Sequence, residues 1–403
     1  MPGVLPTTLT SRLQRVQVGQ ETTWGTPVVA TANMMGLAPW PQFKPFRKSV
    51  AYDEDRGGLQ YSYLSNVLQR GGDYTLNWTY ASYEDINYAL NNVLQAVTPS
   101  GGNPYVYTYL APTNAVNALL PYTLEWGYDI LAGQYAGCLG QKLTIKGEAK
   151  KQWELQHSGF YKTYTPNAAV NIVSSTNATP IAITTTGDPF VTGQQVVVAG
   201  HLTNTNANGT WTIIRTGANV YTLTGSTGNG VGGATGTISR TITPALSDRT
   251  IEAILFPGTT LSIESAGGTP GTTPFPNVFL GFDYSIENNV QPIWTGDSLG
   301  PSAYGYDRLK GALKLKMLYN AQVKALVDTT LLAGTRVVVE IAQTSGSKYA
   351  KLDFAGVLTN DPQNWSTEFG AAYVEIDLES QYDTGALANS VKAIIQNTVS
   401  ALP

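Results

Sequence analysis

Cysteine, histidine and charge are the scarce features of this 403-residue chain. Cys138 is its only cysteine, and His157 and His201 are its only histidines. A single thiol excludes an intrachain disulfide and a cysteine-based metal site, and it fits synthesis in a reducing cytosol. Set between small residues in AGQYAGCLG, Cys138 reads as buried filler rather than a nucleophile. The histidines have no His-x-x-x-His spacing for zinc. Glycine is abundant, yet no Gly-x-x-x-x-Gly-Lys-Ser/Thr phosphate loop and no Gly-x-Ser-x-Gly nucleophile elbow occurs. Carboxylate pairs such as Glu125 and Asp129 would suit a glycosidase, but 28 acidic residues make some pairing inevitable. On these grounds we expect no catalysis, no metal and no cofactor.

Charged residues are 13% of the chain, about half the roughly 25% of ordinary soluble proteins. Solubility usually needs more, so much of the surface is expected to be covered by partners. With a net charge of −4, no basic patch dominates, which argues against sequence-specific nucleic-acid binding. The N-terminus lacks an apolar h-region, so no signal peptide is expected. No apolar run approaches the ~18 residues of a membrane span.

Thr, Asn, Ser, Gly and Tyr fill the place of charge. With 41 Gly and 23 Tyr, the composition suits many short strands joined by tight turns. Residues 166–245 stand apart, because Asp188, Arg215 and Arg240 are their only acidic or basic residues. Strand signals alternate there with turns: Ile181 and Ile183, Val196 to Val198, Trp211 and Ile213, Tyr221 and Leu223, and Ile238. This predicts a small all-β module inserted between parts of nearly equal length, 1–165 and 246–403.

Those two parts share a pattern. In the first, Tyr74, Leu76, Trp78 and Tyr80 alternate as a strand. Ser82 caps a helix carrying Ile86, Ala89, Leu90, Val93 and Leu94 on one face, and a strand at 105–110 follows. In the second, Leu313, Leu315, Met317 and Tyr319 alternate. Asn320 caps a helix carrying Val323, Leu326, Val327 and Leu331, Gly334 stops it, and a strand at 336–341 follows. Further strands are expected at 122–128, 141–157, 348–357 and 372–381. We read this as a duplication of one β-rich domain, each copy with one flanking helix. Any α+β protein offers strand–helix–strand, so coincidence is the plainer alternative. At the C-terminus, Leu387, Val391, Ile394, Ile395 and Leu402 have helical spacing and predict a terminal amphipathic helix, buried in its own core or against a neighbouring subunit.

The segment RVQVGQETTWGTPVVATANMMGL, residues 15–37, resembles the N-terminal signature of tail tube (major tail) proteins of long-tailed, siphophage-type bacteriophages. Its GxExxxGT string is Gly19-Gln20-Glu21-Thr22-Thr23-Trp24-Gly25-Thr26. FLGFDYSIENNVQPIW (279–294) resembles that family's strand ending in a Glu-Asn-Asn turn. GHLTNTNANGTWTII resembles a β-module that recurs in phage tail and virion proteins. The resemblance implies a mainly β tail-tube-type sandwich or barrel domain. Its subunits form rings stacked into a hollow tube in the virion, assembled in the host cytoplasm around a tape-measure protein and closed by terminator and tip proteins. DNA transits the lumen without specific binding, and no membrane partner is implied. A duplicated domain implies a trimeric, pseudo-hexameric ring; a single tube domain per chain implies a hexameric one.

On this reading an extended segment reaches the next ring, and the candidate is residues 40–64. Arg47 and Lys48 face Asp53, Glu54 and Asp55 in charge there; an ordinary solvated loop is the alternative. Along 374–379, Val374, Ile376 and Leu378 point one way while Glu375, Asp377 and Glu379 point the other. The acidic side is the candidate lumen wall, since a basic lining would hold the genome. Its alternative is cross-strand pairing with Lys314 and Lys316 or Lys142 and Lys146. Other function classes compatible with the composition are a carbohydrate-binding or adhesin-like protein, with Trp211 and tyrosines stacking on sugars, and a capsid decoration protein.

Overall fold

The computed structural model describes residues 14–39, 41–45, 48–52, 64–127, 132–241, 246–360, 366–368 and 370–402. Strand makes up 49% of the chain and helix 6%, so the fold is mainly β. The first part contains β1 (Arg15–Gln20), β2 (Ala32–Asn33), β3 (Gln42–Pro45), β4 (Lys48–Tyr52), β5 (Leu64–Gln69), β6 (Gly72–Trp78), α1 (Ile86–Val93), β7 (Tyr105–Leu110), β8 (Tyr122–Gly127), β9 (Ala132–Glu148), β10 (Glu154–Tyr161) and β11 (Thr163–Pro166). Next come β12 (Val170–Ser175), β13 (Ala182–Thr185), β14 (Gln195–Ala199), β15 (Gly209–Gly217), β16 (Val220–Leu223) and β17 (Thr237–Arg240). The last part holds β18 (Thr260–Ser265), β19 (Phe279–Glu287), β20 (Gln291–Ile293), β21 (Ala303–Gly305), β22 (Lys310–Leu318), α2 (Ala321–Leu326), β23 (Val337–Ser345), β24 (Lys348–Leu358), β25 (Ser366–Glu368), β26 (Ala371–Ser380) and β27 (Val391–Asn397).

The six strands from β12 to β17 close into a barrel in the order β12-β13-β16-β15-β14-β17. Its interior is a core of its own, including Ile172, Ile183, Val198, Ile213 and Ile238. Each of the five strand signals contributes a buried residue to it. β12 gives no such signal, because Val173, Ser174 and Ser175 break the alternation begun by Val170 and Ile172. Closure satisfies every strand edge, which lets a nearly uncharged segment avoid presenting an open ladder.

The remaining sheet packs around one large core. Seven strands lie side by side in the order β3-β6-β10-β9-β19-β22-β26. A second layer runs β7-β27-β24-β23-β18. The layers join where β24 leaves β27 and pairs through Gly356–Leu358 with β26. Alternation sends Leu143, Ile145, Tyr284, Ile286, Leu313 and Leu315 from the first layer into the core, against Val339, Ile341, Leu352 and Phe354 of the second. The rings of Tyr284 and Phe354 meet edge to face, centroids 5.9 Å apart.

Helix α1 is buried on every side, not flanking as expected. Its asparagines make this tolerable by finding partners. Asn92 donates to Leu120 O at 2.5 Å and to Cys138 O at 3.1 Å, and accepts from Tyr74 Oη at 2.9 Å. Asn87 accepts from Tyr109 Oη at 2.8 Å. Asp85 is the N-cap residue, and Ser82 Oγ accepts from Asp85 N one turn earlier than the helix proper. In the second part, Asn320 caps α2 by accepting from Val323 N at 2.9 Å. The helix continues as a π-helical turn, Val327–Leu331, and ends near Gly334 at φ +69°.

Two expectations are corrected. Tyr80 lies past the end of β6. The terminal helix is the strand β27, bonded on both sides, by β24 and by β7. Val391, Ala393 and Ile395 are buried at period two. Spacing of 391, 394 and 395 fits a helix equally well; two waiting strand edges and β-branched side chains decide for the strand.

The pairings before and after the barrel follow one order. The first part has β1·β8, β8·β9, β9·β11, β9·β10, β10·β6 and β6·β3. The last part has β18·β23, β23·β24, β24·β27, β24·β26, β26·β22 and β22·β19. Each set also has a two-stranded hairpin at the same place, β4·β5 before β6 and β20·β21 before β22. The counterpart of β23 is thus β8, not β7, which has no counterpart and pairs with β27.

One buried carboxyl sets a pH dependence. Asp353 stands between Glu340 and Lys392 in register and is 2% exposed, with Oδ1 unpartnered among the described residues. Burial, helped by Glu340 and opposed by Lys392 and Lys351, pushes its pKa up to about 7. The folded chain therefore holds this proton to higher pH than an unfolded chain does. The stabilisation is complete below the unfolded value near 3.8 and is lost as pH rises through about 7. Asp353→Asn should raise unfolding free energy at pH 8 by on the order of 2 kcal/mol and change it little at pH 4. Urea titrations at both pH values check this; parallel shifts at both would refute it. For β27, Ile395→Ala should cost about 2–4 kcal/mol while Gln396→Ala costs under about 1 kcal/mol, measured the same way.

Candidate functional site

The outward face of the seven-stranded sheet is rich in charge for a chain that carries little of it. Alternation places Lys142, Lys146 and Glu148 of β9 on it, then Asp283 and Glu287 of β19, Lys310, Lys314 and Lys316 of β22, and Glu375, Asp377 and Glu379 of β26. Asp73 of β6, Glu154 of β10 and Lys44 of β3 extend it. These fourteen residues are more than a quarter of the chain's 24 basic and 28 acidic residues.

The four central strands alternate in sign, with a mainly basic β9, acidic β19, basic β22 and acidic β26. The register brings opposite charges together. Lys146 reaches Asp283 at 2.8 Å and Lys314 reaches Glu375 at 2.6 Å, and Lys142 pairs with Glu287. Lys316 lies 4.3 Å from the ring centroid of Tyr373. Side chains in these pairs are about 36–54% exposed, so each pair contributes little stability, roughly 0–1 kcal/mol. What they set is the character of the face: hydrated, and nearly neutral, with eight acids against six lysines. A depression of about 220 Å³ lies among Lys146, Asp283, Lys314 and Glu375.

Glu375, Asp377 and Glu379 thus share one face, and Val374, Ile376 and Leu378 are buried beneath them. The lysine partner for Glu375 is Lys314. Lys142 and Lys146 instead serve β19, whose acidic residues the sequence reading did not use. The signal was there, in the alternation of Asp283, Ser285 and Glu287. Of the ring-stacking candidates, Arg47, Asp53, Glu54 and Asp55 lie outside the described residues. Lys48 opens β4, which forms a hairpin with β5. The hairpin β20·β21 touches the base of β5, where Arg70 N donates to Leu299 O at 2.7 Å.

The GxExxxGT string has a structural role. Glu21 is buried and accepts from Gly25 N, Gly137 N and Thr123 Oγ1, each at 2.7 Å. Trp24 Nε1 donates to Gly137 O at 2.9 Å. The loop is clamped to the point where β9 changes partners.

Both histidines are buried. Burial lowers the His157 pKa to about 3, and the ring packs against Tyr74. His201 Nε2 lies 2.8 Å from Ser175 Oγ and Nδ1 lies 2.9 Å from Thr235 Oγ1. Ser175 Oγ also accepts from Asn204 and is 3% exposed, so this group holds barrel loops together and has no room for a substrate. Among the described residues no cluster of three His, Cys, Asp or Glu side chains is placed to hold a metal, and no helix is long and apolar enough to cross a membrane. No protein-family model matches the chain, and no curated protein matches it.

The face predicts a salt response. Lys314→Ala should destabilise by no more than about 1 kcal/mol at low ionic strength, and the difference should shrink toward zero in 1 M salt. Chemical denaturation with urea at the two salt levels reads this out; a loss of several kcal/mol that salt does not reduce would show that the pair is structural.

Proposed function

We propose that this chain is a structural virion protein, a tail tube subunit of a long-tailed phage, whose charge-alternating face lines the channel for DNA. That face carries the reading. A channel wall for a polyanion has to be wetted without binding phosphate, and unpaired lysines would bind it with the loss of counterions. Columns of lysine neutralised by columns of acid, with a slight acidic excess, give such a wall. The composition agrees: a low overall charge and many aromatic and small polar residues suit surfaces covered by neighbouring subunits and stacked rings.

The matching order of pairings before and after the barrel supports duplication of one domain, and with it a ring of three chains. In this arrangement the barrel sits outside the wall, where a closed module does not interrupt strand register. Tape-measure, terminator and tip proteins are the expected assembly partners, and DNA passes without sequence-specific contact. For a glycan-binding reading, Trp211 is the chief support. Its indole N–H donates to Ala207 O at 2.8 Å and its ring packs on the barrel core, which weighs against it.

Three measurements test the proposal. Negative-stain microscopy of the purified protein should show hollow cylinders with a regular axial repeat; a persistent monomer that binds glycans would favour the adhesin reading. Neutralising the acidic column (Glu375→Gln, Asp377→Asn, Glu379→Gln) makes the face net basic. Phage carrying this variant should build normal tails and eject DNA more slowly; unchanged ejection from normal tails would remove these residues from the lumen. Deleting 168–243 with a short linker should leave tube assembly intact, and its loss would place the barrel in the wall.

A further inference from the structure

The two sets of pairings differ at one point that matters for association. β9 is bonded by β10 on one edge and by β19, from the other set, on the opposite edge. Its counterpart is the end of β24 together with β25, bonded by β26 on one edge. Among the described residues no strand pairs with the other edge of β25. The counterpart of β19 is β3, bonded by β6 alone among the described strands. Among the described strands, one chain therefore carries both halves of the β9·β19 seam unpaired, at opposite ends of its sheet.

We propose that these edges meet between chains, β25 of one copy pairing antiparallel with β3 of the next in the register of β9·β19. The proposal rests on the ring reading and names the edge that would close the ring. Such a contact is head-to-tail, so repeating it closes a ring or extends a filament. The internal seam supplies the register. Gln42 corresponds to Asp283 and Ser366 to Lys146, the two residues that form an ion pair across β9·β19. Gln42 and Ser366 are both exposed.

The seam between chains is also the weaker one. Ala38 N donates to Asn77 O, and Gln42 and Lys44 stand opposite Thr75 and Asp73, so these even-numbered residues turn their backbone groups to β6. The outward positions are Phe43 and Pro45, with Pro41 just before the strand. Their counterparts in β19 are Phe282, Tyr284 and Ile286, which all have an N–H for β9. Proline has none, so the β3 edge offers acceptors and few donors. Proline on an edge strand blunts unguarded pairing. A free chain is thus held back from zipping onto another, and closure draws on side-chain and stacking contacts as well.

A cysteine pair tests the register. In the template, Lys146 and Asp283 are opposite each other without exchanging backbone hydrogen bonds, a spacing of about 4.5 Å between Cα atoms that a disulfide accepts. The double variant Gln42→Cys/Ser366→Cys, oxidised with diamide, should give a ladder of covalent multimers ending in a closed species on a non-reducing gel. Dithiothreitol should reverse it, and neither single variant should produce it. Multimers without stacked cylinders would keep this seam and remove the tube reading. Cylinders whose chains stay uncrosslinked would keep the tube and overturn the seam. A protein that neither crosslinks nor self-associates overturns the seam too. Separately, Pro45→Val restores one donor and should lower the concentration for self-association about fivefold by sedimentation velocity; an unchanged or higher concentration overturns the role given to proline.

Discussion

Strand β9 has to satisfy backbone groups on both edges over seventeen residues, and much of the fold follows from how it does so. Its first half lies between β8 and β11 and its second half between β10 and β19. Changing neighbours on both edges midway is eased by a bend in the strand. Gly137, at φ +71°, makes the bulge that allows the change, and a side chain there would meet Lys162 and the Trp24 ring. Glu21 and Trp24 bind both backbone groups of Gly137, so the N-terminal loop holds the switch in place. On the inner side, Asn92 and Asn288 take the carbonyls of Cys138 and Gly140, which fixes α1 against the same turn.

Because β9 also accepts β19, strands before and after the barrel belong to one sheet with one apolar core. The barrel can then be large and self-contained without disturbing it. It touches the body through Arg240, which donates to Gln134 Oε1 at 3.0 Å and Thr165 O at 2.7 Å beside buried Glu125. Arg240 also interacts electrostatically with Glu125 at this junction, while Arg215 pairs with Asp188 within the barrel.

Strand positions were legible because burial on one face leaves a period of two in the sequence, as in Tyr74, Leu76 and Trp78 or Leu313, Leu315 and Met317. The acidic side of β26 was legible for the same reason. What sequence could not supply was pairing. The stretch from Val391 to Ile395 carries both periods, and only the edges of β24 and β7 choose between them. Likewise β7 follows α1 as β23 follows α2, yet β23 pairs as β8 does. Local pattern names the strands; long-range hydrogen bonds assign their equivalence. The alternating columns needed both kinds of information, since Lys146 and Asp283 are far apart in sequence and adjacent only through the seam.

Pairing of the acids with lysines and a place on a channel wall looked like rival readings of Glu375, Asp377 and Glu379. The geometry makes them compatible. Neighbouring strands are about 4.8 Å apart, so the sign of charge repeats about every 10 Å across the face. The field of such stripes cancels within about one repeat of the surface, and salt screens over a similar distance. A polyanion held off the wall by a few layers of water would then respond to the net charge of the face, which is slightly acidic, and to no single lysine. Near the wall Lys142, Lys146 and Lys314 are already occupied by acids of the neighbouring strand. Removing the acids changes both conditions at once, which is why neutralisation of one column is a sharper probe of the proposed channel role than reversal. Reversal would also set lysine against lysine along β22 and β26 and break the sheet's own pairing.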